Sequence, residues 1–142
     1  MQIERQIFRA YECELSSLLA RVAAHAKEMK LSSDLTHRLA LILEELFLNT
    51  VQHGGGAAVE PLAYLSIETT AETLQLVYED NGTAYDPFAT LDRTVLLEAA
   101  DSRRIGGLGV LLVEGLASSA RYARQGDFNR IELSFVREPP AR

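Results

Sequence analysis

Tryptophan is absent, cysteine occurs once and methionine twice in the 142 residues, and basic side chains are outnumbered by acidic ones, 14 to 20. Each shortage removes a class of protein. Cys13 alone cannot close an internal disulfide, and no second thiol exists for a zinc cluster. It reads as a small, partly buried residue on a helix. A formal charge of −6 argues against a nucleic-acid binder, because phosphate contacts need Lys and Arg gathered on one face. The deficit leaves a nucleotide ligand open, since backbone N–H groups and a metal ion can hold a triphosphate. No apolar run approaches a membrane span. The start Met1-Gln2-Ile3-Glu4-Arg5 lacks the basic stretch and apolar core of a secretion signal. The expected location is the cytoplasm, with no membrane partner.

What the chain does have is an ordinary globular balance, 47% apolar and 24% charged. That length and composition suit one domain with a real core. We expect it to span residues 1–137, followed by an unstructured tail, Glu138-Pro139-Pro140-Ala141-Arg142. Alternation around Ile3, Ile7 and Phe8 predicts a first strand. Helical spacing of Leu15, Leu18, Leu19, Val22, Ala23 and Ala26 predicts a helix from about Cys13 to Met29. Ser32-Ser33-Asp34 then offers an N-cap for a second helix marked by Leu35, Leu39, Ile42, Leu43 and Leu46, and Gly54-Gly55-Gly56 stops it. Strands Leu62 to Thr69 and Thr73 to Glu79 flank a hairpin turn at Thr70-Ala71-Glu72. After Asp86-Pro87 come a short helix near Thr94 to Ala99 and a third amphipathic helix from Gly106 to about Ser118. Strands Ala120 to Arg124 and Arg130 to Val136 close the chain. This order lacks the alternation of a doubly wound sheet. It predicts an α+β, two-layer α/β sandwich: one mostly antiparallel sheet with helices on one face.

Three groups of residues could carry chemistry. Glu45, Asn49 and His53 are spaced by four on the second helix, so each step drifts by only about 40° around the axis. Asn49 and His53 fall within the apolar stripe, where a polar group must be paired or face a cavity. For His53 the plainer reading is a solvated helix end. A carboxylate and an amide one turn apart can hold a hydroxyl and a metal ion, as phosphoryl transfer requires. The second group is Asp80-Asn81-Gly82-Thr83-Ala84-Tyr85-Asp86-Pro87. By itself this is a turn after a strand. Yet Asp80 could accept a hydrogen bond from an exocyclic amine while Gly82 lets a planar ring lie against the backbone. The third is Gly106-Gly107-Leu108-Gly109, glycines at a helix start, where N–H groups and the helix dipole make an anion site. Arg103 and Arg104 add charge just before it. No Gly-Lys-Ser/Thr follows, so it is not a Walker loop.

In that order, Glu-x-x-x-Asn-x-x-x-His on a helix, Asp-x-Gly after a strand and Gly-Gly-Leu-Gly opening a helix resemble the N, G1 and G2 boxes of the Bergerat-type ATPases. That superfamily includes gyrase, Hsp90, MutL and histidine kinases. The Asp80-x-Gly82-x-x-Tyr85-Asp86-Pro87 form, the run Arg104-Ile105-Gly106-Gly107-Leu108-Gly109 and the closing Asn129-Arg130-Ile131-Glu132-Leu133 resemble the anti-sigma-factor serine/threonine kinases. The resemblance covers about residues 3 to 137. It implies the Bergerat ATP-binding fold, with ATP and Mg²⁺ as ligands. Asn49 matches the metal-coordinating Asn and Glu45 the general base, with Glu44 its non-aligned neighbour. Asp80 matches the adenine-binding Asp, with Gly82 giving close approach. Arg104, Gly106, Gly107, Leu108 and Gly109 match the lid hinge and phosphate-contacting segment.

Two positions depart from the pattern. Ala84 stands where the superfamily often has a second Gly, a change that the anti-sigma branch tolerates. Ser118 replaces an Asp usual to that branch, which bears on partner contacts more than on chemistry. His25 and His37 lie within the domain's own helices and read as surface residues, so no phospho-accepting histidine is expected. The implied function is an ATP-dependent serine/threonine kinase acting as an anti-sigma factor on a serine of an anti-anti-sigma, STAS-type partner. The alternative is a nucleotide-gated anti-sigma binding module without appreciable kinase activity. Partners implied by the resemblance are that STAS-type protein, a sigma factor and a second copy of the chain through β1 and the first helix. Keeping both Glu45 and Asn49 favours the kinase, because a pure binder needs no base.

Overall fold

The computed structural model describes residues 2–53, 59–88 and 116–137. Its elements are β1 (Gln2–Arg9), a 3₁₀ turn (Glu12–Glu14), α1 (Leu15–Glu28), α2 (Ser33–His53), β2 (Leu62–Thr69), β3 (Thr73–Asp80), β4 (Ser119–Gln125) and β5 (Phe128–Val136). The strands form one five-stranded antiparallel sheet in the order β1-β2-β3-β5-β4. This is the expected α+β sandwich.

Local chemistry explains the helix ends. Ser32 Oγ accepts a hydrogen bond from the Leu35 N–H at 3.1 Å, capping α2 as its Ser-Ser-Asp start suggested. At the end of α1, the Leu31 N–H reaches Ala26 O at 2.9 Å and the Lys30 N–H reaches Lys27 O at 3.2 Å, a Schellman closure. Lys30 sits there at φ 54°, a left-handed conformation that a side chain tolerates at some cost.

Period-two and helical patterns meet in one core. Leu18, Val22 and Ala26 of α1 and Leu35, Leu39, Ile42, Leu43, Leu46 and Phe47 of α2 are buried. They face Leu65, Ile67, Leu74, Leu76, Tyr78, Ile131, Leu133 and Phe135 on the inner face of the sheet. Register sets the row that matters later: Asp80 pairs with Ala63 on one side and with Asn129 on the other. Opposite the helices, an alternating row of charges crosses the strands. Glu79 meets Arg5 at 3.4 Å and Arg130 at 3.5 Å, and Glu132 meets Arg130 at 3.1 Å and Arg121 at 2.5 Å. The Arg121 and Arg130 guanidiniums hold the Glu132 carboxyl below its usual range. Among the described residues no helix is long and apolar enough to cross a membrane.

Some expectations need correction. Cys13 is exposed on the 3₁₀ turn rather than partly buried on α1, because the helix proper starts two residues later. Ala23 is exposed, at the margin of the α1 stripe. Leu116, Ala117 and Ser118 are not helical; they lead into β4, with Ser118 N–H on Ser134 O. The short helix near Thr94, the rest of the third helix, the glycines after α2 and the tail lie outside the described residues.

His25 is the plainest miss among the histidines, since it is buried while His37 is exposed. Its Nε2 lies 2.9 Å from Thr69 Oγ1, pinning α1 to the end of β2. Burial pushes the imidazole pKa below its ordinary 6.5, against a smaller opposing pull from Glu28. The unfolded chain therefore binds the proton more readily than the folded one. Stability contributed by neutral His25 is present above about pH 6.5 and is lost as pH falls through and below that value. Urea midpoints measured from pH 7.5 to 5.5 should decline, and His25→Asn should flatten that slope; an unchanged slope in the variant would contradict this assignment.

Candidate functional site

The carboxyl end of β3, the last two turns of α2 and the start of β5 surround a shallow, open cleft. Its walls are Leu46, Asn49 and His53 from α2, Tyr78 and Asp80 from β3, Thr83, Tyr85 and Pro87 from the following loop, and Asn129 and Ile131 from β5. This is a concave, largely apolar space with a few convergent polar groups, the usual form of a small-molecule site.

Three hydrogen bonds hold Asp80 in its wall. Oδ1 accepts from the Gly82 N–H at 3.0 Å and from Asn129 Nδ2 at 2.8 Å, while Oδ2 accepts from Thr50 Oγ1 at 2.9 Å. Asn129 is buried and spends its whole amide on this corner. Its second N–H goes to Thr83 O at 2.8 Å, and Oδ1 accepts from Tyr85 N at 3.1 Å and Tyr122 Oη at 2.5 Å. Arg124 Nη1 adds a 2.7 Å bond to Gly82 O. The Asp-x-Gly turn is thus tied down from β5 and β4, and Gly82 is buried beneath it. Asn81 points elsewhere, bonding Leu62 N and Glu60 O at the start of β2.

Behind Asp80 stands Tyr78, fully buried, its Oη 2.7 Å from Thr50 Oγ1. Burial pushes the phenol pKa far up, so it stays neutral at any ordinary pH. At the mouth the His53 and Tyr85 rings stack, 4.6 Å between centroids and 20° from parallel. His53 is exposed there, the solvated helix end that its sequence context suggested, and it doubles as one wall of the cleft.

The structure therefore brings Asn49, Asp80 and Gly82 to one place. Glu45 is half-buried one turn before Asn49 and is not among the cleft walls, while Glu44 is exposed. Arg104, Gly106, Gly107, Leu108 and Gly109 lie outside the described residues. Thr50, Tyr78 and the role of Asn129 were missed in the sequence. The signals were a phenol in an inward strand position between Leu76 and Asp80 and a hydroxyl next to Asn49.

Among the described residues no three His, Cys, Asp or Glu side chains converge to hold a metal by themselves. Mg²⁺ usually binds through one or two protein oxygens plus the phosphates of its nucleotide. Asn49, in the cleft wall, has a side-chain oxygen that could serve as one such ligand.

An α+β sandwich with this cleft has the architecture of a nucleotide-binding domain. A family model described as the histidine kinase-like ATPase domain matches residues 8–135, and the chain belongs to that family. The family resemblance read from the three boxes is borne out. The serine/threonine-protein kinase BtrW of Bordetella bronchiseptica is 28% identical over 103 residues, 72% of each chain. Among solved structures, the RsbU and RsbW domains of Rv1364c from Mycobacterium tuberculosis superpose with a TM-score of 0.63 at 14% identity, covering 99% of this chain. This chain spans 34% of that one. A chain of the SiaB–SiaC complex from Pseudomonas aeruginosa gives 0.62 at 14% identity, over 95% of this chain and 90% of that one. At such identities the structural matches speak to fold.

Proposed function

We propose that the protein is an ATP-dependent serine/threonine kinase of the anti-sigma type, transferring the γ-phosphoryl group of ATP to a serine of a STAS-type partner. The observation that carries this reading is the joining of Asn49 and Asp80 in one cleft, with the Asp80 carboxylate fixed by three hydrogen bonds; in this reading its remaining acceptor position takes the adenine amine. The name of the kinase BtrW and the partner complex formed by SiaB and SiaC support a kinase working on another protein. A sigma factor as second target and a homodimer follow from the family resemblance.

Asp80 orients the base, Gly82 lies under the ring, and Asn49 holds Mg²⁺, which neutralises charge on the phosphates when bound. Arg104, Gly106, Gly107, Leu108 and Gly109 serve the triphosphate. The serine oxygen forms its bond to the γ-phosphorus as the bond from that phosphorus to the ADP oxygen breaks. Glu45 takes the serine proton.

The test is transfer of labelled γ-phosphate from ATP with Mg²⁺ to a purified STAS-domain partner. One phosphoserine per partner molecule is the expected result. ATP binding without transfer would instead make the protein a nucleotide-gated binding module, and absence of ATP binding would overturn both.

A further inference from the structure

Burial and acceptor strength favour one order of hydrogen-bond donation around Asp80 among the described residues. Tyr78 Oη is fully buried with one hydrogen-bond partner, Thr50 Oγ1 at 2.7 Å. A phenol buried in this way has to donate its proton to that oxygen, because an unmade buried O–H is costly. Thr50 then has one proton of its own and two acceptors in reach, Leu46 O at 3.1 Å and Asp80 Oδ2 at 2.9 Å. The carboxylate is the shorter and stronger acceptor. The chain of donation runs Tyr78 to Thr50 to Asp80, and each link polarises the next.

A carboxylate offers about four acceptor positions. Gly82 N–H, Asn129 Nδ2 and Thr50 Oγ1 occupy three of them. What remains for a ligand is one acceptor position on Oδ2, beside the Thr50 hydroxyl, in a carboxylate that three bonds keep from turning. We propose that Tyr78 and Thr50 are positioning residues that fix this last acceptor and so make the site select 6-amino purines over 6-oxo purines. The inference rests on the nucleotide reading above and adds the device that sets its base preference. A 6-oxo purine presents an oxygen where the 6-amino group presents a donor, so lone pairs would face lone pairs. Neither residue needs to touch the base; both act through Asp80.

The experiment compares ATP with inosine triphosphate, which differs in the group at position 6 and the proton on N1. Binding of each is measured by calorimetry to the wild type, Thr50→Val, Thr50→Ser and the double variant Thr50→Val/Tyr78→Phe. The double variant removes both hydroxyls together and so leaves no buried orphan, whereas Thr50→Val alone strands the Tyr78 proton. The double variant should therefore melt above the single one, a readout that needs no nucleotide. Its ATP affinity should fall about tenfold, the scale of one charge-assisted hydrogen bond. Inosine triphosphate binding should not change, and Thr50→Ser should retain the wild-type preference. An unaltered preference in the double variant would overturn the proposal, as would an equal loss for both nucleotides. A wild type that binds neither nucleotide would sink the nucleotide reading and this inference with it, while the order of melting would still report on the relay.

Discussion

Glu45→Ala is expected to leave ATP bound and to slow phosphoryl transfer by about 100- to 10,000-fold, the usual contribution of a positioned general base. Glu45 stands one turn before Asn49 on α2 and is absent from the walls of the cleft proposed for the base. Losing its carboxylate should therefore not disturb the contacts that hold the nucleotide base. Single-turnover transfer to the partner, followed beside an ATP titration of the same variant, separates the two effects. Transfer at the wild-type rate would remove Glu45 from the chemistry. A parallel loss of ATP affinity would assign it to binding.

Asp80→Asn should have the opposite profile. The amide can keep its oxygen where Oδ1 now accepts from Gly82 N and Asn129 Nδ2. Its nitrogen then takes the place of Oδ2 and donates to Thr50 Oγ1, freeing the Thr50 hydroxyl to bond Leu46 O. The protein's own hydrogen bonds are thereby kept, and the cost to folding should stay within about 1 kcal/mol. The group turned toward the base has become a donor facing the donor of adenine. ATP affinity should fall on the order of 100-fold, the loss that follows when a site's hydrogen-bonding partner is mismatched. A variant that melts like the wild type and fails to bind ATP is the expected pair of results. Retained affinity would move the adenine away from Asp80.

Much of this architecture is legible in the chain because it rests on local rules. The Ser32 cap and the leucine stripe define α2, the Thr70-Ala71-Glu72 turn sets the β2–β3 hairpin, and Asp80 falls at the strand end where Asp-x-Gly placed it. What stayed hidden depends on contacts between distant segments. Thr50 and Asp80 are 30 positions apart, and Asn129 and Asp80 are 49 apart. No periodicity reports that these side chains meet. Tyr78 looks like one more apolar inward position of β3 until its hydroxyl is asked for a partner. His25 shows the same limit from the other side. It continues the Leu18 and Val22 face, and its polarity suggests surface until Thr69 of β2 comes within hydrogen-bond reach.

The claim that joins these residues is that an adenine nucleotide sits in the cleft between α2 and the β3–β5 pair. Titrating ATP with Mg²⁺ into isotope-labelled protein and following backbone amide NMR signals tests it most directly. The account predicts the largest shifts at Asn49, Asp80, Gly82, Tyr85 and Asn129, with Arg5, Glu79 and Glu132 on the opposite sheet face unmoved. Shifts centred on that opposite face, or none at saturating nucleotide, would contradict it.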